Sequence, residues 1–272
     1  MSALAVIAVA PNGARRGKAD HPRLPITPEE ISREAALCAE AGASLLHLHV
    51  RDEQGRHSLD AGRYREAIAA VRQSVGDALL IQVTTEAAGR YGPDEQMEAV
   101  KRLKPEAASV AVAELIPTSA HEAAAAQFYH WAADEGVALQ HILYEPGEVA
   151  ALIDFARRGV IPERGLHPLF VLGKRAPDQQ ADPRELMAFL ERWPAEKPWS
   201  VCAFGRTETA ALAMALALGG HVRVGFENSL VRPDGSIAAD NAEAVGRIAG
   251  IAWALGRRPA TAQECRALFA QP

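Results

Sequence analysis

The sequence predicts a single-domain (β/α)8 barrel, or TIM barrel, over residues 1–272. Short strand-like runs alternate with longer helical segments along the whole chain, and the alternation repeats eight times. No Pro-, Gly- or Ser-rich linker and no block of like charges divides the chain. Because eight βα units without an internal boundary can close on themselves, this pattern favours a barrel over a doubly wound sheet.

The predicted strands are short runs of mainly apolar residues that end at polar or turn-forming positions. The first run has no basic residue before it and continues into Pro11-Asn12-Gly13, which indicates a strand and a turn rather than a signal peptide. In chain order, the predicted strands are residues 3–10, 44–50, 79–84, 108–112, 137–144, 167–172, 199–204 and 221–225.

Each predicted strand is followed by a predicted helix. The first helix, residues 27–41, has Thr27 as its cap, Pro28 at its first position and the acidic side chain of Glu30 in its first turn, and it stops at Gly42. The later helices are predicted at residues 60–74, 93–103, 119–134, 148–158, 183–193, 207–218 and 239–255.

The composition restricts the location and the partners of the protein. Hydrophobic residues make up 49% of the chain and charged residues 23%, as in ordinary globular proteins. The net charge of −5 lacks the basic excess of nucleic-acid-binding proteins, and no run reaches the roughly 18 apolar residues of a membrane span. Cys38, Cys202 and Cys265 are few and far apart, which predicts a reduced, cytoplasmic protein without disulfides.

The predicted barrel separates polar residues with structural roles from those with functional roles, because barrel enzymes place their catalytic residues at the carboxyl ends of the strands. His141, His167 and His221 lie at or near the starts of predicted strands, so we expect them to have structural roles. His47 and His49, in the segment Leu-His-Leu-His-Val-Arg-Asp, lie instead near the end of the second strand. Side chains two apart on a strand share a face about 6.6 Å apart, so both imidazoles can bind one ion at about 2.1 Å.

The end of the eighth strand offers a third ligand and a buried cation. The ends of strands two and eight lie roughly 10 Å apart, a gap that the side chains of His47, His49 and Glu227 can bridge. Three such ligands with an open position are typical of catalytic zinc, although manganese or iron(II) can use the same set, and Glu227 could instead be a solvated loop acid. Arg223 has the same parity as Glu227, so its guanidinium should point into the barrel and need an anionic partner, either a protein carboxylate or a substrate.

Other predicted strand ends carry groups suited to binding or proton transfer. Thr84 and Thr85 offer hydroxyl donors after the third strand. Glu114 and Glu145 follow the fourth and fifth strands, and their carboxylates are candidates for an acid, a base or an orienting group.

The motifs together resemble those of the β-keto acid cleavage enzymes over nearly the whole chain. They are PNGA after strand one, TPEEI at the first helix, HLHVRD on strand two, TT after strand three, PEAAS before strand four and GGHVRVGFEN on strand eight. This resemblance implies a zinc-bearing barrel that condenses a β-keto acid with a coenzyme A thioester, usually acetyl-CoA. The implied products are acetoacetate and a new acyl-CoA, and the implied assembly is a homo-oligomer, with a tetramer expected.

The resemblance also implies roles for individual residues. His47, His49 and Glu227 match the zinc ligands of the family, and Arg223 matches its catalytic arginine. Glu145 matches a substrate-contacting carboxylate by its position on strand five. The residues expected to contact substrate through the matching motifs are Thr84, Thr85, Asn12, Gly13 and Ser109.

One position departs from the family pattern. The family usually reads Glu-Asp-Asn where this chain has Glu227-Asn228-Ser229, and the Asn228 amide cannot accept the proton that the aspartate takes. Either another carboxylate is therefore the base, or the reaction is a variant of the family reaction. Glu145 is the first candidate, because desolvation in the barrel mouth would raise its pKa, and Glu114 is the second. The basic first loop, residues 14–24, suggests an acidic or polar substrate tail unless it is simply a solvated surface loop.

Two other functions fit parts of the pattern. A metal-dependent hydrolase of the amidohydrolase type also has a His-x-His pair on a barrel strand, but that family places the pair on strand one. A non-catalytic, metal-dependent binding protein is the second alternative, because the expected aspartate is missing at Asn228.

Overall fold

The computed structural model describes residues 4–269 and confirms the single-domain barrel. Eight parallel strands pair in chain order, and the last strand pairs with the first to close the barrel. The barrel strands are β1 (Ile7–Val9), β2 (Leu45–Leu48), β3 (Leu80–Thr84), β4 (Ala107–Ala111), β5 (Ala138–Leu143), β6 (Pro168–Leu172), β7 (Ser200–Ala203) and β8 (His221–Val224).

Helices follow the strands and cover the outside of the barrel. They are α1 (Pro28–Glu40), α2 (Ala61–Val75), α3 (Pro93–Leu103), α4 (Glu122–Asp134), α5 (Pro146–Arg157), α6 (Glu185–Leu190), α7 (Glu208–Ala217), α8 (Asn241–Ala254) and α9 (Ala262–Phe269). None of the helices in residues 4–269 is both long enough and apolar enough to cross a membrane.

The start of α1 matches the sequence prediction. Thr27 accepts a hydrogen bond from the backbone N–H of Glu30 at 3.3 Å, and the Glu30 carboxylate accepts one from the N–H of Thr27 at 3.2 Å. Pro28 occupies the first helical position, where its missing N–H costs no hydrogen bond. These local interactions explain why this helix is readable from sequence alone.

Alternation along β2 decides which of its side chains face the barrel interior. Leu46 and Leu48 belong to the large apolar cluster between the strands and the helices, whereas Leu45 packs in a separate cluster. His47 has the same parity as Leu45 and pairs in register with Gln82 of β3. The imidazole of His47 is therefore directed into the barrel.

The histidines at the amino-terminal end of the barrel are buried and held by structural contacts. His167 Nε2 lies 2.7 Å from the Ser200 hydroxyl, and His221 Nδ1 accepts a hydrogen bond from the N–H of Val6 at 3.1 Å. Burial lowers the pKa of His141 and of His221 to about 4, so both rings are neutral at physiological pH. Their position at the far end from the strand carboxyl termini matches the expectation of structural roles.

The first predicted strand, residues 3–10, is divided into two pieces. Leu4–Ala5 pairs in parallel with Arg258–Pro259, and only Ile7–Val9 enters the barrel, while Ala3 lies outside the described residues. Helix α9 follows the Arg258–Pro259 strand and was not predicted. The partner of Leu4–Ala5 comes from the other end of the chain, so no local pattern marks this pairing.

Three other local elements differ from the prediction. Val50–Arg51 and His57–Ser58 form a small antiparallel pair after β2. Val112–Leu115 forms one helical turn directly after β4, and α6 is shorter than the predicted residues 183–193. These are changes at element ends, where sequence patterns are least informative.

Glu208, the first residue of α7, is a buried carboxyl group next to the end of β8. Its side chain accepts a hydrogen bond from the N–H of Gly225 at 3.2 Å, and the residue is 3% exposed. Burial raises the pKa of Glu208 to about 8. The folded protein therefore keeps this carboxyl group protonated at a pH where the unfolded chain has released the proton.

We expect the Glu208→Gln variant to show a weaker loss of stability between about pH 4.5 and pH 8 than the wild type. Below the unfolded pKa the protonated group stabilises the fold fully, and this contribution is lost as the pH rises through the folded pKa. Glutamine keeps the acceptor and removes the titration, so the difference should be on the order of 1 kcal/mol or more. Urea unfolding across this pH range measures it, with the exposed Glu66→Gln as a control. Identical pH profiles for wild type and Glu208→Gln would contradict the assignment.

Candidate active site and metal centre

His47, His49 and Glu227 meet at the carboxyl-terminal end of the barrel. The two imidazole Nε2 atoms lie 3.1 Å apart, and Glu227 Oε2 lies 3.5 Å from His47 Nε2 and 3.2 Å from His49 Nε2. Both imidazoles are 1% exposed and the carboxylate is 10% exposed. The sequence prediction that these three side chains converge is therefore matched by the geometry.

The donor set fits a divalent metal ion. Ligand atoms at about 2.1 Å from a tetrahedral centre lie about 3.4 Å from one another, and the three distances here, 3.1, 3.2 and 3.5 Å, are close to that value. Glu227 Oε2 is buried without a hydrogen-bond partner. Two imidazole nitrogens and a carboxylate oxygen that face one another in this way form a set that a cation stabilises.

A hydrogen-bonded pair of glutamines orients the first imidazole. His47 Nδ1 lies 2.8 Å from Gln82 Oε1, and Gln82 Nε2 donates to Gln140 Oε1 at 3.0 Å. This network assigns the proton of His47 to Nδ1 and leaves the Nε2 lone pair directed at the site. Burial lowers the pKa of His47 to about 3, so the ring is neutral as a metal ligand must be.

Arg223 lies inside the barrel, as expected, and pairs with the Glu227 carboxylate. Its Nη2 donates to Glu227 Oε1 at 3.1 Å and to Cys202 Sγ at 3.3 Å, while its buried Nε has no partner. Burial alone would raise the pKa of Glu227, but the charge of Arg223, together with the contacts to the His49 and His47 imidazoles, holds this pKa well below its usual range. The carboxylate is therefore ionised, and the guanidinium keeps an unused donor.

The turn after β1 approaches the metal-ligand cluster closely. Gly13 has a φ of +65°, and a Cβ added there would lie 2.6 Å from Glu227 Cγ. Glycine is therefore required both for the backbone conformation and for the space. The Asn12 side chain donates to the carbonyls of His49 and Pro25 at 3.0 and 3.1 Å, so it fixes the backbone that carries the second imidazole.

Two cavities adjoin this cluster and share four lining residues, Glu86, Lys174, Phe204 and Glu227. The inner cavity, of about 20 Å³, is lined by His47, Thr84, Glu86, Ile142, Tyr144, Val171, Lys174, Phe204, Arg223 and Glu227. The outer cavity, of about 110 Å³, is lined by residues 12–16, Glu86, Lys174, Gln179, Phe204 and Glu227. The lining comes from the carboxyl ends of many strands, where barrel enzymes place their active sites.

The model of the beta-keto acid cleavage enzyme family matches residues 5–270 of this chain. The chain belongs to the beta-keto acid cleavage enzyme family. Membership makes it an enzyme that cleaves a carbon–carbon bond, and it removes the amidohydrolase-type hydrolase and the non-catalytic binding protein as alternatives.

Curated members of the family match over nearly their whole length. The 3-keto-5-aminohexanoate cleavage enzyme of Fusobacterium nucleatum is 32% identical over 269 residues, with 97% of each chain covered. The 3-oxoadipate:acetyl-CoA acetyltransferase of Cupriavidus necator is 28% identical and covers 98% of this chain and 95% of its own.

Solved structures share the barrel fold. The apo structure of ObcA superposes with a TM-score of 0.74 at 20% identity over 92% of this chain. This chain spans 66% of the length of ObcA. A type I 3-dehydroquinate dehydratase from Clostridium difficile superposes with a TM-score of 0.62 at 10% identity, with 93% of each chain covered.

Of the hydroxyl groups implied by the family motifs, only that of Thr84 lies at the cavity. Thr84 lines the inner cavity, and its hydroxyl accepts a hydrogen bond from the N–H of Glu86 at 3.0 Å. Thr85 points the other way, because successive strand residues face opposite sides, and its hydroxyl donates to the Ser109 carbonyl at 2.9 Å. The Ser109 hydroxyl is buried without a partner, and Ser109 lines neither cavity.

The two carboxylates proposed as bases also lie away from the inner cavity. Glu145 is the residue that precedes α5, and its side chain is 49% exposed and lies 3.4 Å from Arg175. It therefore lacks the desolvation expected from its place on the strand. Glu114 is held by the N–H of Ala87 at 3.0 Å and by Gln96 Nε2 at 2.7 Å, so it braces the loop after β3, and burial raises its pKa.

Asn228 is fully buried next to Glu227, and neither its side-chain oxygen nor its nitrogen has a hydrogen-bond partner. It lines neither of the two cavities. Asn228, the residue that departs from the family pattern, is therefore located behind the cavity wall. Its amide offers no proton acceptor to a substrate.

Glu86 and Lys174 are the charged cavity residues that the sequence did not single out. Glu86 follows the Thr-Thr pair, is 11% exposed at its side chain and forms an ion pair with Arg15. Lys174 follows β6 in a segment without a motif. The sequence feature that could have identified both residues is their position just after a predicted strand, which is the criterion that selected Glu145.

Replacing Gln82 by leucine should weaken the binding of Zn²⁺ by about 10- to 100-fold, because His47 would lose the group that fixes its tautomer and orientation. Competition with a chromophoric chelator measures the affinity of the metal-free protein for the ion. The matched variant Gln140→Leu removes the next glutamine, which does not touch His47, and should have a smaller effect. Unchanged affinity in a folded Gln82→Leu protein would show that the orientation of His47 does not depend on Gln82.

Proposed function

We propose that this protein condenses a β-keto acid with acetyl-CoA and releases acetoacetate and a new acyl-CoA, with zinc held by His47, His49 and Glu227. The observation that carries the proposal is the three-ligand cluster, whose carboxylate accepts a hydrogen bond from Arg223 at 3.1 Å and whose members His47 and Glu227 line the inner cavity. The activity of a relative supports the co-substrate, since the Cupriavidus necator protein is a 3-oxoadipate:acetyl-CoA acetyltransferase. The predicted cytoplasmic location and homo-oligomer stay predictions.

The proposed reaction begins with removal of a proton from the carbon between the keto and carboxyl groups. The resulting enolate attacks the thioester carbonyl and expels the coenzyme A thiolate. The thiolate then attacks the original keto carbon, and cleavage of the carbon–carbon bond releases the new acyl-CoA and the enolate of acetoacetate. This enolate takes back the proton removed in the first step to give acetoacetate. A bound divalent ion would supply Lewis-acid polarisation of the keto oxygen.

The residues around the cluster are suited to stabilising the negative charge that develops on the substrate. Burial keeps the His47 imidazole neutral, and Glu227 contributes the negative charge of the ligand set, which Arg223 balances. The Nε of Arg223 is a buried donor without a hydrogen-bond partner. Such a donor stabilises an anionic transition state without reorganisation.

We propose Glu86, rather than Glu145, as the proton acceptor. Glu86 lines both cavities, and its side chain is 11% exposed compared with 49% for Glu145. Burial raises the pKa of Glu86, but the neighbouring His49, Lys174 and Arg15 together hold this pKa below its usual value, so the group is ionised and ready to accept a proton.

The function is tested by incubating the zinc-loaded protein with β-keto acids and acetyl-CoA and by detecting acetoacetate and acyl-CoA with mass spectrometry. The His47→Ala variant should lose the ion together with at least about 100-fold in kcat/KM, since a ligated metal supplies several kcal/mol of charge stabilisation. The exposed His130→Ala serves as the control. Full activity of His47→Ala without bound metal would contradict the proposal.

The base is tested separately by exchange of the substrate α-protons in deuterium oxide. Glu86→Gln should reduce the exchange rate by at least about 100-fold, within the usual contribution of a positioned base. Glu145→Gln should retain exchange, because its carboxylate faces solvent and Arg175. The opposite result, with exchange lost in Glu145→Gln and kept in Glu86→Gln, would restore Glu145 as the base.

A further inference from the structure

Lys174 is a cation in the barrel mouth without a polar partner. It follows β6, is partly buried and lines both the inner and the outer cavity. Within residues 4–269 the structure gives its ammonium group no hydrogen bond and no ion pair. Its close contact is the face of the Phe204 ring, whose centroid lies 4.5 Å from Nζ. A partly desolvated ammonium group of this kind is stabilised by an anion.

The neighbouring cations are already bound. Arg15 pairs with Glu86, and Arg223 pairs with Glu227. Arg16 donates to the Phe226 carbonyl at 2.5 Å. Burial lowers the pKa of Lys174, and the nearby carboxylates of Glu86 and Glu227 oppose this, but neither accepts a hydrogen bond from the ammonium group. The donors of Lys174 are therefore free for a ligand, whereas each of the three guanidinium groups donates at least one hydrogen bond to the protein.

The charges around the outer cavity favour an anionic ligand over a cationic one. Three cations, Arg15, Arg16 and Lys174, line this cavity together with two carboxylates, Glu86 and Glu227. Each carboxylate already has an arginine partner. An ammonium group on a substrate would have to compete with these arginines, while a carboxylate would meet the unpaired Lys174.

We propose that Lys174 is an anion subsite for a second carboxylate at the far end of the β-keto acid, so that the substrate is a β-keto dicarboxylic acid. This inference rests on the proposed function. The carboxylate and enolate of the reacting end belong near Arg223 and the metal ligands in the inner cavity. Lys174 lines both the inner and the outer cavity, so its ammonium group is placed to contact the next charged group along the substrate.

The test compares three six-carbon acids that differ in the far end: 3-oxoadipate with a carboxylate, 3-oxohexanoate with a methyl group and 5-amino-3-oxohexanoate with an ammonium group. The wild type should prefer 3-oxoadipate. Lys174→Met should lower kcat/KM for 3-oxoadipate by roughly 10- to 100-fold, the value of a charge-assisted hydrogen bond, and change it for 3-oxohexanoate by less than about 3-fold. Lys174→Glu should shift the substrate preference towards 5-amino-3-oxohexanoate, whose ammonium group the new carboxylate would attract.

Arg175→Met is the matched control, because Arg175 is the adjacent cation and pairs with Glu145 and Glu148 outside both cavities. It should leave the preference among the three acids unchanged. Equal losses for all three acids in Lys174→Met would overturn the inference, since Lys174 would then serve the carboxylate that all three share or the phosphates of coenzyme A.

A binding measurement separates this inference from the proposed reaction. Calorimetric titration with adipate and hexanoate, in the absence of acetyl-CoA, should show adipate binding that weakens about 10-fold in Lys174→Met while hexanoate binding stays the same. Equal adipate affinities in the wild type and Lys174→Met would exclude the subsite. Selective loss of adipate binding in a protein that turns over none of the acids would instead keep the subsite and reject the proposed reaction.

Discussion

Arg223 is buried inside the barrel, and the Glu227 carboxylate 3.1 Å away balances its charge. A buried guanidinium without an anion is strongly destabilising, so the position of Glu227 is restricted before any ligand is considered. The same carboxylate places its other oxygen 3.2 Å from His49. One side chain thus joins the electrostatic balance of the barrel interior to the metal-ligand cluster, and a change in either part is transmitted to the other.

The surrounding residues hold this arrangement in place. Gly13 lets the turn after β1 pass against Glu227, Asn12 fixes the carbonyl of His49, and Gln82 fixes the proton of His47. Each of these contacts joins an element to a neighbouring strand end, so the cluster is supported by the closed barrel and not by one loop. The inner cavity is small, and its charged residues Glu86, Arg223 and Glu227 each form an ion pair, whereas Lys174 forms none within the described residues.

The sequence by itself determined the features that depend on short-range pattern. The alternation of strands and helices predicted the barrel, and Thr27, Pro28 and Glu30 predicted the start of α1, because caps and periodicity are local interactions. His47 and His49 were predicted as a same-face pair because strand alternation is fixed by covalent geometry. Glu227 was predicted as the third ligand because the eight repeated βα units predict a closed barrel, and a closed barrel brings the end of strand eight near the end of strand two.

Only the tertiary structure decided which strand-end residues enter the cavity. Glu86, Glu114 and Glu145 all follow strands, yet Glu86 alone of the three lines the cavities, because the half-exposed Glu145 carboxylate lies beside Arg175 and Gln96 binds Glu114. The splitting of residues 3–10 likewise depends on the distant Arg258–Pro259 strand. In each case the outcome depends on partners that are remote in sequence. The residues around a loop carboxylate therefore do not predict which partner it will contact.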